Sequence, residues 1–177
     1  MDGERQSTST IPSQDSGANG TEKVIRALSL GVIGLVVVLA SVGLFGVRTD
    51  IARASGNGYS IAVQHSSIAR PGLAAPFGIE VSTEDGSPLP STVTVRVDSA
   101  YLAMFDDNGM EPMPTSSFNT SEATWWTFDV PAGSNSLRVD LDARLEPAVQ
   151  WGREASAAVE IEGIEMTVVS FTTWVMP

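Results

Sequence analysis

The chain has 177 residues, no cysteine, one histidine (His65) and a formal net charge of −11. Without cysteine there is no disulfide, thiolate metal site, cysteine nucleophile or lipid-attachment cysteine, and any Ser-His-Asp triad would have to use His65. Residues 48–177 hold seven Arg, no Lys and 17 acidic residues, a net of −10. That balance argues against nucleic acid or an anionic membrane surface as partner, because an acidic face repels both.

Residues 1–22 are rich in Ser, Thr, Gly and Asp and nearly empty of large apolar groups. They cannot bury enough surface to offset the entropy of ordering, so 1–23 is expected to be a disordered tail.

Ala27 to Val47 reads ALSLGVIGLVVVLASVGLFGV, without charge, Asn, Gln, His or Pro. As a helix it would be about 31 Å long, close to the roughly 30 Å hydrocarbon core of a bilayer. The expectation is one membrane-spanning helix over 24–47, with the bilayer as its partner. A signal peptide is the alternative, with Ala52-Arg53-Ala54 as a small-x-small cleavage site. Signal h-regions run only about 7–15 residues, so the length favours an uncleaved anchor. Lys23 and Arg26 flank one end and Arg48 and Arg53 the other, so flanking charge does not set orientation. The ordinary arrangement, tail inside and domain outside, is adopted. Ala27, Gly31, Gly34 and Ser41 share one helical face, where small residues would let a second helix approach closely.

Residues 48–57 read as a linker by composition. From Tyr59 the period changes to two. Tyr59, Ile61 and Val63 alternate with Ser60, Ala62 and Gln64; runs of the same kind cover 77–82, 93–98, 125–130, 137–142 and 155–161. A last run, Ile164 to Val175, is apolar on both parities. Alternation with one apolar face marks a half-buried strand. Breaks such as Arg70-Pro71-Gly72, Pro131-Ala132-Gly133 and Glu162-Gly163 separate the runs. Seven short strands in this length predict an all-β fold: a seven-stranded antiparallel immunoglobulin-like sandwich over 58–177. The gap from Ser99 to Ser121 reads as one helical turn followed by a long loop.

That loop holds the candidates for metal chemistry. Asp106, Asp107, Asn108 and Glu111 offer hard oxygens, but the Gly follows at once and no acid stands at the twelfth position, so an EF-hand match fails. Met110 and Met113 are thioethers of the kind that suit Cu(I), and Met-x-x-Met is a weak pattern. Calcium or copper binding by 106–113 is therefore the alternative reading, and no cofactor is expected. Trp125 and Trp126 are neighbours on a strand and point to opposite faces. One belongs to the core, and the other could meet a sugar or a protein. Asp140 and Asp142 share a polar strand face, which is not the cleft that paired catalytic acids need. The stretch from Asp140 to Arg153 mixes charge, Pro and Trp. Arg144 and Glu146 could pair at a sheet corner, with Trp125, Arg144, Glu146 and Trp151 as surface-contact candidates.

Three stretches have the look of family motifs: Tyr101-Leu-Ala-Met-Phe-Asp-Asp-Asn-Gly109, Trp126-Thr-Phe-Asp-Val-Pro131 and Leu145-Glu-Pro-Ala-Val-Gln-Trp-Gly152. With the anchor and the strand pattern, the layout resembles single-pass proteins of bacterial envelopes that carry an immunoglobulin-like or fibronectin-like ectodomain. The resemblance implies an architecture and an envelope location, and no reaction. It departs from antibody-type domains in lacking the paired Cys. The expectation is a non-enzymatic interaction module in a bacterial cell membrane, accessory to another membrane or envelope protein.

Overall fold

The computed structural model describes residues 20–41 and 46–176, with the backbone only at Asp107 and Asn108. The expected disordered tail thus lies outside the described residues up to position 19, as do 42–45 of the expected span. The chain divides into two compact units, with the boundary between Phe45 and Gly46.

In the first unit, α1 runs Gly20–Ser41 and has no buried residue. Its 22 residues make a rod of about 33 Å. Its two serine hydroxyls are satisfied within the helix: Ser29 Oγ donates to Ile25 O at 2.9 Å and Ser41 Oγ to Val37 O at 2.8 Å. This i−4 bonding lets serine sit in an apolar helix without a stranded polar group. The helix is long and apolar enough to cross a membrane. Its bounds differ from the expected 24–47. It takes in Lys23 and Arg26, while Gly46 and Val47 lie outside it. Those two residues lead straight into a strand, whose ladder fixes extended backbone from position 48.

Among the described residues the second unit is built from ten strands and one helical turn. In chain order they are β1 (Arg48–Gly56), β2 (Tyr59–Ala69), β3 (Phe77–Thr83), β4 (Thr92–Asp98), α2 (Ser99–Leu102), β5 (Phe105–Glu111), β6 (Ser116–Asn119), β7 (Ala123–Asp129), β8 (Ser136–Leu145), β9 (Arg153–Ile161) and β10 (Ile164–Val175). The seven expected strands are all present, and three more correct the expected count. The 48–57 linker is a strand, β1, joined to β2 by Asn57-Gly58, both with positive φ (52° and 82°). An Asn-Gly pair with left-handed backbone is the tight hairpin turn that matches strand twist. The long loop supplies the other two strands, β5 and β6.

The ladder order is β5-β8-β3-β2-β10-β9-β4-β7-β6, with β1 added on β2. All pairings are antiparallel except one. β2 and β10 run parallel over a short contact, Ile68 with Trp174 and Ala69 with Val175. The sheet therefore curls over a single core, and it is not a clean seven-stranded antiparallel sandwich. One wall contributes Val63, Ile79, Val81, Val139 and Leu145, and the other Val93, Val95, Val97, Phe128 and Val159, all at most 1% exposed. Strict alternation puts them there: β8 buries every second residue from Leu137 to Leu145. Each such side chain contributes about 1.5–3 kcal/mol on burial.

The turn α2 carries Tyr101 into this core. Its ring meets Phe171 edge-on at 5.0 Å and Phe105 at 5.0 Å, and its hydroxyl lies 3.1 Å from Thr173 Oγ1. Burial pushes the phenol up to about 12.

Candidate functional site

The 106–113 segment does not form an open ligand loop. Most of it is β5, whose Phe105 to Asp107 face Leu145 to Ala143 of β8, with a bulge between Asp107 and Met110. Met110 packs against the core, whereas Met113 is 76% exposed. The two thioethers therefore face different surroundings. Glu111 stands opposite Asp140, like charge beside like. Among the described residues no group of three or more His, Asp or Glu is placed to hold a metal ion. The side chains of Asp107 and Asn108 lie outside the described residues.

Trp126 is 7% exposed in the core, and Trp125 lies on the outer face of β7. Trp125 is held rather than offered. Its Nε1 donates to Glu160 Oε1 at 3.0 Å, and its ring packs tilted against Phe118 of β6 at 5.7 Å. Arg96 joins the same face through Glu160 at 3.9 Å and Glu165 at 3.0 Å. Arg144 and Glu146 do not form the expected corner pair. Arg144 Nε donates to Gly72 O at 2.5 Å and closes the 70–73 turn. Trp151, by contrast, is 79% exposed. On α1, Ala27, Gly31, Gly34 and Ser41 are all exposed, and a Cβ added at Gly31 or Gly34 would meet nothing within 4 Å.

Sequence reasoning missed a cleft between the two ends of the ladder. β5 pairs only with β8 and β6 only with β7. Between them opens an apolar space of about 370 Å³, lined by Phe77, Phe105, Trp126 and Leu141, with Ser99, Asn119 and Thr124 on one wall. Asn119 Oδ1 accepts from Ser99 Oγ at 3.0 Å and from Thr124 Oγ1 at 3.2 Å. The cleft exists because β6 is reversed in polarity. Ser117 and Asn119 line the cleft, while Phe118 turns outward at 65% exposure. A filled sandwich would carry large apolar groups at those inward positions. The only sequence signal was that odd parity in Ser-Ser-Phe-Asn. Among the described residues no lining side chain is titratable, so the cleft can bind an apolar group and offer hydrogen bonds.

His65 is 4% exposed, tilts against Phe171 at 5.0 Å, and its Nδ1 has no hydrogen-bond partner. Burial lowers its pKa, with the Ser66 backbone and the charge of Asp50 acting in the opposite direction. It is a core residue, remote in role from any nucleophile: Ser66 beside it is 1% exposed, with an unpartnered hydroxyl.

The fold and this surface define an all-β domain with a curled sheet, following one apolar helix. No family model matches the chain, and no curated protein matches it. Among solved structures, it is similar to a non-cellulosomal cohesin from the hyperthermophilic archaeon Archaeoglobus fulgidus. The identity is 9% and the TM-score 0.37, over 73% of this chain and 92% of that one.

Proposed function

We propose that this protein is a membrane-tethered, non-enzymatic interaction module: α1 spans the bilayer, and the β domain outside it docks on another membrane or envelope protein. The observation that carries the reading is α1 itself. A 22-residue apolar helix with no buried residue has only lipid or another apolar helix in which to hide its surface. The place of β1 supports an uncleaved anchor over a signal peptide. Cleavage after Ala54 would cut β1 within its ladder and leave β2 without most of nine register partners. The open cleft and the outward Phe118 supply a surface for a partner, and the envelope location follows from the resemblance in layout.

The test uses the full chain expressed in a bacterial host. It should resist extraction from membranes by alkaline carbonate, keep its N-terminal tail by mass, and recover a repeated partner after detergent solubilisation. Gly31→Leu with Gly34→Leu should weaken that recovery if the small face of α1 takes part. Release by carbonate, or a mature chain starting at Ser55, would remove the anchor.

A further inference from the structure

Four stretches meet at the end of the β domain where the chain enters it. Arg48 opens β1 opposite Ile68, and Ile68 lies beside Trp174 of β10. Met176 N donates to Ala69 O at 3.0 Å, and Arg153 faces Thr173. The 146–152 loop is pressed onto this corner: a Cβ at Gly152 would run into the Thr173 carbonyl and the Trp174 backbone, so only glycine fits. The 70–73 turn joins through Gly72 N to Leu145 O at 2.8 Å.

The side chains at this end differ from those of the rest of the domain. Trp151 is 79% exposed, Trp174 68%, Leu73 48% and Met176 39%. Single exposed apolar residues need no explanation, but here two open tryptophans stand on neighbouring stretches of backbone. Charge changes with them. Residues 48, 68–73, 146–153 and 173–176 carry Arg48, Arg70 and Arg153 against Glu146 alone, a net of +2. The rest of 48–177 carries four Arg and 16 acids, a net of −12. The strong acidity of the domain, which argued against a membrane surface, is thus reduced at this end, where Asp50 and Glu154 border Arg48 and Arg153.

We propose that this end is a bilayer-facing surface, with Trp151, Trp174, Leu73 and Met176 in the headgroup layer and the exposed Arg48 and Arg153 on lipid phosphates. The inference rests on the reading of α1 as an anchor. Three arguments select lipid over a protein partner. Six residues separate Ser41 from Arg48, a reach of at most about 25 Å, so an α1 anchored in the bilayer would limit how far the entering end of the domain can lie from it. Trp is the side chain enriched at membrane–water interfaces, since its ring is apolar and its N–H is polar. Arginine meets phosphate through a fork of donors.

The chain has no cysteine, so single cysteines can be spin-labelled without background. Three sites are compared in the full chain reconstituted in vesicles of phosphatidylcholine and phosphatidylglycerol: Gln150→Cys beside the patch, Ser87→Cys in the exposed turn after β3, and Val36→Cys on α1. The label at 150 should collide with lipid-soluble oxygen in preference to a water-soluble nickel complex, as at 36 and opposite to 87. Trp151→Ser with Trp174→Ser should reverse that preference at 150 and leave 36 unchanged. A label at 150 as aqueous as at 87, with 36 in lipid, would overturn the proposal and keep the anchor. A label at 36 in water would overturn both. A label at 150 shielded from both reagents would overturn the proposal in favour of a protein contact.

Discussion

Tyr101 and His65 are both sunk in the core, and both show what burial does to a polar group. The Tyr101 hydroxyl and Thr173 Oγ1 satisfy each other at 3.1 Å, and Thr173 is 0% exposed. Tyr101→Phe removes one partner and strands the other. It should cost about 1–3 kcal/mol in urea melts followed by tryptophan fluorescence, with Thr173→Val in addition recovering part of the loss. His65 has a folded pKa held below its ordinary 6.5. The unfolded chain therefore takes up a proton first as pH falls below 6.5, and the folded state loses stability progressively from that point down. The melting temperature should fall between about pH 7.5 and 5 by more than it does in His65→Leu. Equal slopes in the two proteins would show that His65 is not the group responsible. Strand parity puts His65 on the core face with Ile61 and Val63, but neither its unpartnered Nδ1 nor the Tyr101–Thr173 pair could be read from the sequence.

Among the elements, β1 shows most clearly how composition misleads. Arg-Thr-Asp-Ile-Ala-Arg-Ala-Ser-Gly looks like a spacer because its inward residues, Ala52 and Ala54, are small. The turn that follows, Asn57-Gly58, is a strong hairpin signal, and it outweighs the weak alternation before it. Because β1 pairs with β2 along its whole length, a chain that begins at Ser55 should melt well below one that begins at Gly46. It should also aggregate more readily through the bared edge of β2. Equal melting of the two would mean that β1 adds nothing to the sheet. β5 and β6 were hidden for a different reason. Both are edge strands with one neighbour, so half their surface is exposed and their sequences carry charge, Gly and Ser instead of a clean apolar face. The helix was the easiest element to read, yet its limits were not. Propensity cannot say where an apolar run stops being helix and starts being strand when pairing decides it.

For the molecule as a whole, uniform charge was the wrong simplification. The domain is net −10, but folding brings Arg48, Arg70 and Arg153 to one end together with Glu146, and most of the acids lie elsewhere. Those residues are separated by up to about a hundred positions, and no window of sequence holds them together. Trp174 shows the same effect. The run from Ile164 to Val175 is apolar on both parities, and only the packing of Thr167, Val169, Phe171 and Thr173 inward decides that Trp174 points out. By itself, the sequence determined the apolar helix, the all-β class and seven of the ten strands, because hydrophobic period is a local property with a large free energy behind it. The tertiary structure alone decided the edge strands, the cleft between them, the partners of Arg144 and Trp125, and the arginine–tryptophan end. Each of those depends on which distant backbone a strand pairs with, and pairing is set by the sum of the core's contacts rather than by any one segment.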